Sequence, residues 1–149
     1  MRSLNVRCTK NSLLTVQRSS RWKKRMVYIL VANKSYKYDS GERSHIIYIG
    51  TTGKGAHRPA TSAVDKASEA FKDLRGVKEI RVHIASCRGR KAMRTWEHLE
   101  SALLATFKHL HYELPIYNHR KGSFKRVGDI RHFRPKALEK VILQFSEAY

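Results

Sequence analysis

The chain has 149 residues, enough for one domain with a buried core, and its 41% hydrophobic and 29% charged residues are ordinary for a globular fold. No apolar run approaches the roughly 18 residues a membrane helix needs, so a helical span is excluded. The charge is unusual: 31 Lys and Arg against 12 acids give a net +19, a self-repelling balance that calls for an anionic partner.

Nucleic acid fits that partner, because every phosphate contact releases condensed counterions. A membrane surface fits less well, since no long stretch pairs a basic face with a Trp, Phe and Leu face. In chain order, residues 1–25 come first and carry Arg2, Arg7, Lys10, Arg18, Arg21, Lys23, Lys24 and Arg25, with no acid before Asp39. This reads foremost as an arm laid along phosphates; a transit peptide and a solvated tail are the other two readings. Cys8 and Cys87 lack a CxxC neighbour and read as free thiols of an intracellular, reducing compartment, either cytoplasmic or, if the arm is a targeting segment, mitochondrial. His109 and His111 lack the spacing of a zinc ligand pair.

Two apolar runs follow, Met26–Ala32 and His45–Gly50, both rich in β-branched and aromatic residues. They predict a β-hairpin joined by a long polar loop bearing Lys34, Lys37 and Arg43. Thr51–Gly55, with Lys54, is a loop. Beyond Pro59, Ala60, Ala63, Val64, Ala67, Ala70, Phe71 and Leu74 recur at helical spacing, and Gly76 ends that helix. Ile80, Val82 and Ile84 alternate with Arg81 and His83 as in a strand. A second helix is predicted from about Lys91 to His109, with Trp96, Leu99, Leu103, Phe107 and Leu110 on one face. Residues 119–134 are basic and punctuated by glycine, and a last helix starts near Pro135 with Leu138, Val141, Ile142 and Phe145 inward. The expected architecture is α+β: a small three-stranded, antiparallel-type sheet flanked by helices. The basic N-terminal arm covers 1–25, the domain 26–119, and the basic segment with a C-terminal helix 120–149.

Tyr48-Ile49-Gly50, preceded by Val27-Tyr28-Ile29 on the earlier strand, resembles the paired motifs of the GIY-YIG nuclease domain. Arg58 stands in the place of that family's helix arginine. Glu100, within Leu99–Phe107, resembles its helix glutamate, and Pro115-Ile116-Tyr117-Asn118 resembles its Pro-x-x-Asn ending. The similarity spans roughly residues 26–119, and the first motif reads Met26-Val27-Tyr28 where the family has Gly-Ile-Tyr.

The resemblance implies catalytic roles for Tyr28, Tyr48, Arg58, Glu100 and Asn118, with Tyr28 as the base. Phosphodiester hydrolysis needs an activated water, stabilised charge on the non-bridging oxygens and a protonated leaving oxygen. Arg58 suits the second task through its rigid fork of donors, and Glu100 suits a single Mg²⁺ or Mn²⁺ shared with waters and phosphate. A phenol is a poor base at neutral pH unless a nearby cation assists it. Asn118 is expected to anchor a loop by hydrogen bonds. His57 and Glu97 are accessory candidates, as proton shuttle and as alternative ligand.

Two functions remain open. One is a metal-dependent endonuclease acting on DNA or structured RNA. The other is a non-catalytic RNA-binding or ribosome-associated protein, part of a large RNA–protein assembly, that keeps the same fold as a scaffold. Both would use Arg18, Arg21, Lys23, Lys24 and Arg25, the loop cations Lys34, Lys37 and Lys54, and Arg120, Lys121, Lys125 and Arg126 against phosphates. A helix laid in the major groove fits less well, because the long helix is committed to the core.

Overall fold

The computed structural model describes residues 10–12, 15, 25–53, 57–118 and 127–147, with the side chains at 57–60 and 127–129 outside that description. Strand β1 (Met26–Lys37) pairs antiparallel with both β2 (Arg43–Thr52) and β3 (Ile80–Ala85), giving the order β2-β1-β3. Helices α1 (His57–Asp73), α2 (Thr95–His111) and α3 (Pro135–Ser146) complete the α+β fold, with a 3₁₀ turn at Val127–His132. No helix among the described residues is long and apolar enough to cross a membrane.

β1 is central, which explains its unbroken apolar run: both faces are covered, so alternation gives way to continuous burial of Met26–Ala32. Val27, Ile29 and Val31 pack with Leu99, Leu103 and Phe107 of α2 and Leu138 and Ile142 of α3. Tyr28, Leu30 and Ala32 pack on the other face with Ala70 of α1, Val77 and Tyr117. β2 meets both layers through a bulge. Leu30 pairs with Tyr48 but Val31 pairs with Ile46, leaving Ile47 as the extra residue. That shift sends Ile46 into the α2 layer, while Ile47 and Tyr48 pack in the α1 layer.

Several boundaries differ from the sequence expectation. The hairpin connection is short, because β1 continues through Lys37 and β2 begins at Arg43. Tyr38 is the reason: its ring packs on Phe107 and His111, and its hydroxyl donates to the Ile46 carbonyl at 2.6 Å. Helix α2 starts at Thr95 rather than Lys91, since Arg90–Met93 closes a turn with Ala92 in the left-handed region (φ 60°). In α1, Ala63, Ala70 and Leu74 of the expected apolar stripe pack on the sheet, but Val64 and Phe71 are 60% and 41% exposed, so only part of that stripe is buried. In β3, Ile84 is exposed while His83 stacks near Phe145 with ring centroids 4.6 Å apart. The 3₁₀ turn falls inside what reads in sequence as an irregular basic stretch.

His111 and His83 give the fold a pH dependence. Burial lowers both pKa values from the ordinary 6.5; Arg81 adds to the effect at His83, and Glu42 partly opposes it at His111. Below that ordinary value the unfolded chain binds more protons than the folded one, so this contribution to stability is complete above about pH 6.5 and declines below it. Urea melts at about pH 7.5 and about pH 5.5 should show lower stability at the acid point, and His111→Gln should narrow the difference.

Candidate functional site

Tyr28 and Tyr48 lie side by side on the α1 face of the sheet, ring centroids 6.0 Å apart and planes tilted by 39°. The register explains the pairing: Tyr28 stands opposite Gly50 and Leu30 opposite Tyr48, so the tyrosines are diagonal neighbours on one face. Gly50 is the residue the pair requires. A Cβ there would lie 2.6 Å from the Tyr28 Cζ and hydroxyl and 2.7 Å from a Tyr48 ring carbon.

Helix α1 lies over this pair. The Tyr28 hydroxyl donates to Ser62 Oγ at 3.0 Å, and Tyr28 itself is only 1% exposed. Lys66 Nζ sits 5.8 Å from the Tyr48 ring centre and 5.7 Å from that of Tyr117, in cation–π range, and pairs with Glu69 at 3.1 Å. Ser62 and Lys66 are site residues that the sequence reading missed. The signal was available: Arg58, Ser62 and Lys66 follow one another at i, i+4 and i+8, a polar stripe on one side of the helix. For His57 and Arg58 the structure describes only helical backbone in the first turn of α1.

Asn118 acts as an anchor. It is 6% exposed; its Oδ1 accepts from Ile49 N–H at 2.9 Å and its Nδ2 donates to the Ile49 carbonyl at 2.7 Å. β2 is an edge strand, and Asn118 supplies the partner that a further strand would have given. Tyr117 extends this cover, its N–H donating to the Ile47 carbonyl at 3.0 Å. The Pro115–Asn118 segment therefore fixes the backbone on both sides of Tyr48.

Glu100 approaches from the other layer. It is half-buried on α2, one turn beyond Trp96, whose indole lies against Gly53 just past β2. The tyrosine pair and Glu100 are thus carried to the same end of the sheet from opposite faces. Glu97 is half-exposed and bound to Arg94 at 3.2 Å, an exposed i, i+3 pair. Among the described residues no three His, Cys, Asp or Glu gather as a ready cage. A magnesium-like ion fits this donor set only as a guest of one carboxylate, completed by waters and phosphate, which is a usual arrangement for that ion.

The expected phosphate contacts divide. Arg18, Arg21, Lys23, Lys24, Lys54, Arg120, Lys121, Lys125 and Arg126 lie outside the described residues. Arg25 packs over Trp96, its guanidinium 5.1 Å from the ring centre, at the same end of the sheet as Gly53. Lys34 and Lys37 are exposed at the far end of β1, with the Lys34 side chain lying along Gly76. Cys87 carries a free thiol. Against models of known protein families, characterised proteins and solved structures, the chain shows no significant match.

Proposed function

We propose that this protein binds nucleic acid and hydrolyses phosphodiester bonds as a metal-dependent endonuclease of the GIY-YIG type. The observation that carries this reading is the tyrosine pair held over Gly50 beneath a helix whose first turn contains Arg58. In this reading Tyr28 acts as phenolate: its hydroxyl gives up to solvent the proton it now shares with Ser62, then takes a proton from a water as that water's oxygen bonds to phosphorus and the leaving oxygen departs. Tyr48, with the Lys66 ammonium over its ring, orients the phosphate. Arg58 meets the non-bridging oxygens with paired donors, and Asn118 holds the strand on which Tyr48 stands. Glu100 would hold Mg²⁺ or Mn²⁺, which supplies charge stabilisation to the phosphate oxygens when bound.

The burial of Tyr28 and the position of Glu100 across the sheet favour a second reading, an RNA-binding scaffold that keeps the fold without the reaction. One experiment separates them. The purified protein is incubated with plasmid DNA and with structured RNA in Mg²⁺ or Mn²⁺, beside Glu100→Ala and Arg58→Ala. Cleavage that disappears in both variants is the expected result. Tight, salt-sensitive binding without cleavage, equal in all the proteins, would establish the scaffold instead.

A further inference from the structure

The connection from β3 to α2 carries Arg88, Arg90, Lys91 and Arg94, and no acidic residue lies between Cys87 and Arg94. All four are exposed, and a Cβ added at Gly89 would meet nothing within 4 Å, so no part of the described chain covers this backbone. The loop is nonetheless shaped. Cys87 Sγ reaches the Thr95 carbonyl at 3.5 Å across its base, and the Arg90–Met93 turn closes its tip with a backbone bond of 3.2 Å. Its cations are therefore displayed from a closed turn rather than a free tail.

Position and charge context distinguish this loop from the rest of a basic surface. β1 begins, and β2 and β3 end, at one edge of the sheet, and Trp96 brings the start of α2 there against Gly53. Arg25, stacked on Trp96, extends the same cationic rim. At the opposite end two basic segments are interleaved with acids. Lys72, Arg75 and Lys78 alternate with Asp73 and Glu79, and Lys37 and Arg43 flank Asp39 and Glu42. Among the described residues, Arg94 is the one cation of the loop with an acidic partner, Glu97.

Resting on the nucleic-acid reading above, we infer that the Arg88–Arg94 loop binds the phosphodiester backbone of the strand flanking the bond to be cut. Arg88, Arg90 and Lys91 make the contacts, and Arg25 continues the track toward the tyrosine pair. Such contacts position a strand without reading its bases.

The test compares two triple variants that remove equal charge: Arg88→Ala/Arg90→Ala/Lys91→Ala in the loop, and Lys72→Ala/Arg75→Ala/Lys78→Ala at the far end. Thermal melts first confirm that both fold. Binding to a short DNA duplex, an RNA hairpin and phosphatidylserine vesicles is then measured across a salt series. The loop variant should lose about tenfold or more in nucleic-acid affinity near 0.1 M salt, and its log–log salt slope should fall by about 2 to 3. The far-end variant should change much less. The nucleic acid that registers the difference identifies the strand. Equal losses in the two variants, or none in the loop variant while the unaltered protein still binds, would overturn the loop assignment alone. Loss confined to vesicles would assign the loop to a membrane surface and overturn it as well. If the unaltered protein binds neither nucleic acid, the functional reading itself falls.

Discussion

Tyr28→Phe should slow cleavage by about 10²- to 10⁴-fold, the usual contribution of a positioned proton-transfer group, while the protein stays folded. The aromatic ring is the structural part of Tyr28: it fills the α1 layer with Leu30, Ile47 and Ala70, and phenylalanine keeps that packing. What goes is one hydroxyl and its bond to Ser62, a loss of about 0.5–1.5 kcal/mol in stability. Ser62→Ala is the companion measurement. It breaks the same hydrogen bond but leaves the phenol in place, so a structural role for that bond would give both variants the same phenotype. A catalytic phenol separates them: Ser62→Ala keeps most of the rate and Tyr28→Phe does not. On the scaffold reading neither substitution alters nucleic-acid affinity, because Tyr28 is buried away from any phosphate. Initial cleavage rates, beside a binding isotherm and a thermal melt for each variant, decide the matter.

The parts of the fold that could be read from sequence are those where one physical requirement acts alone. β1 and β2 are apolar, β-branched and aromatic because they fill a two-sided core, and α2 and α3 show their buried stripes because each faces a single layer. Reading fails where two requirements compete. Helix α1 must cover the tyrosine pair with Ser62 and Lys66, so its inward face is partly polar and its most apolar-looking residues, Val64 and Phe71, face solvent. The polar residues Asn33–Lys37 look like loop, yet pairing of Tyr36 and Lys37 with β2, beside the buried Tyr38, extends the strand through them. The bulge at Ile47 is equally hidden. Its apolar neighbours read as one run, and only the pairing register reveals which face each takes.

The candidate site divides in the same way. Tyr28, Tyr48 and Gly50 belong together because diagonal strand neighbours with a small residue between them can share a face, a relation spacing can express. Glu100 comes from the other layer, and no local pattern tells a reader which face of the sheet a distant helix will cover. Lys66 was legible as one more cation on a basic chain; only the fold shows its ammonium between the rings of Tyr48 and Tyr117.

Asn118→Ala should be the most destabilising single change at the site, and the reason lies in the edge strand. Alanine leaves both the N–H and the carbonyl of Ile49 without their present partner, in a place where Asn118 is 6% exposed. A buried group left unpaired costs about 1–3 kcal/mol, so the two together predict a loss of about 2–6 kcal/mol in urea or thermal melts. Asn118→Asp sharpens the argument. Its carboxylate can still accept from Ile49 N–H, but it turns a second acceptor toward the Ile49 carbonyl where Asn118 had a donor. Protonation restores that donor, so the deficit of Asn118→Asp relative to the unaltered protein should shrink as pH falls, while that of Asn118→Ala stays constant. The comparison must be made at each pH, because the buried His111 and the half-buried His83 lower the stability of every variant in acid. If the aspartate deficit were flat with pH, the Asn118 amide would not be pairing with the strand, and its contribution would have to come from packing alone. If it shrinks as expected, the residue that closes the family-like motif is the clip that holds Tyr48 and Gly50 in register. Its effect on cleavage would then follow the position of Tyr48 rather than any chemistry of its own.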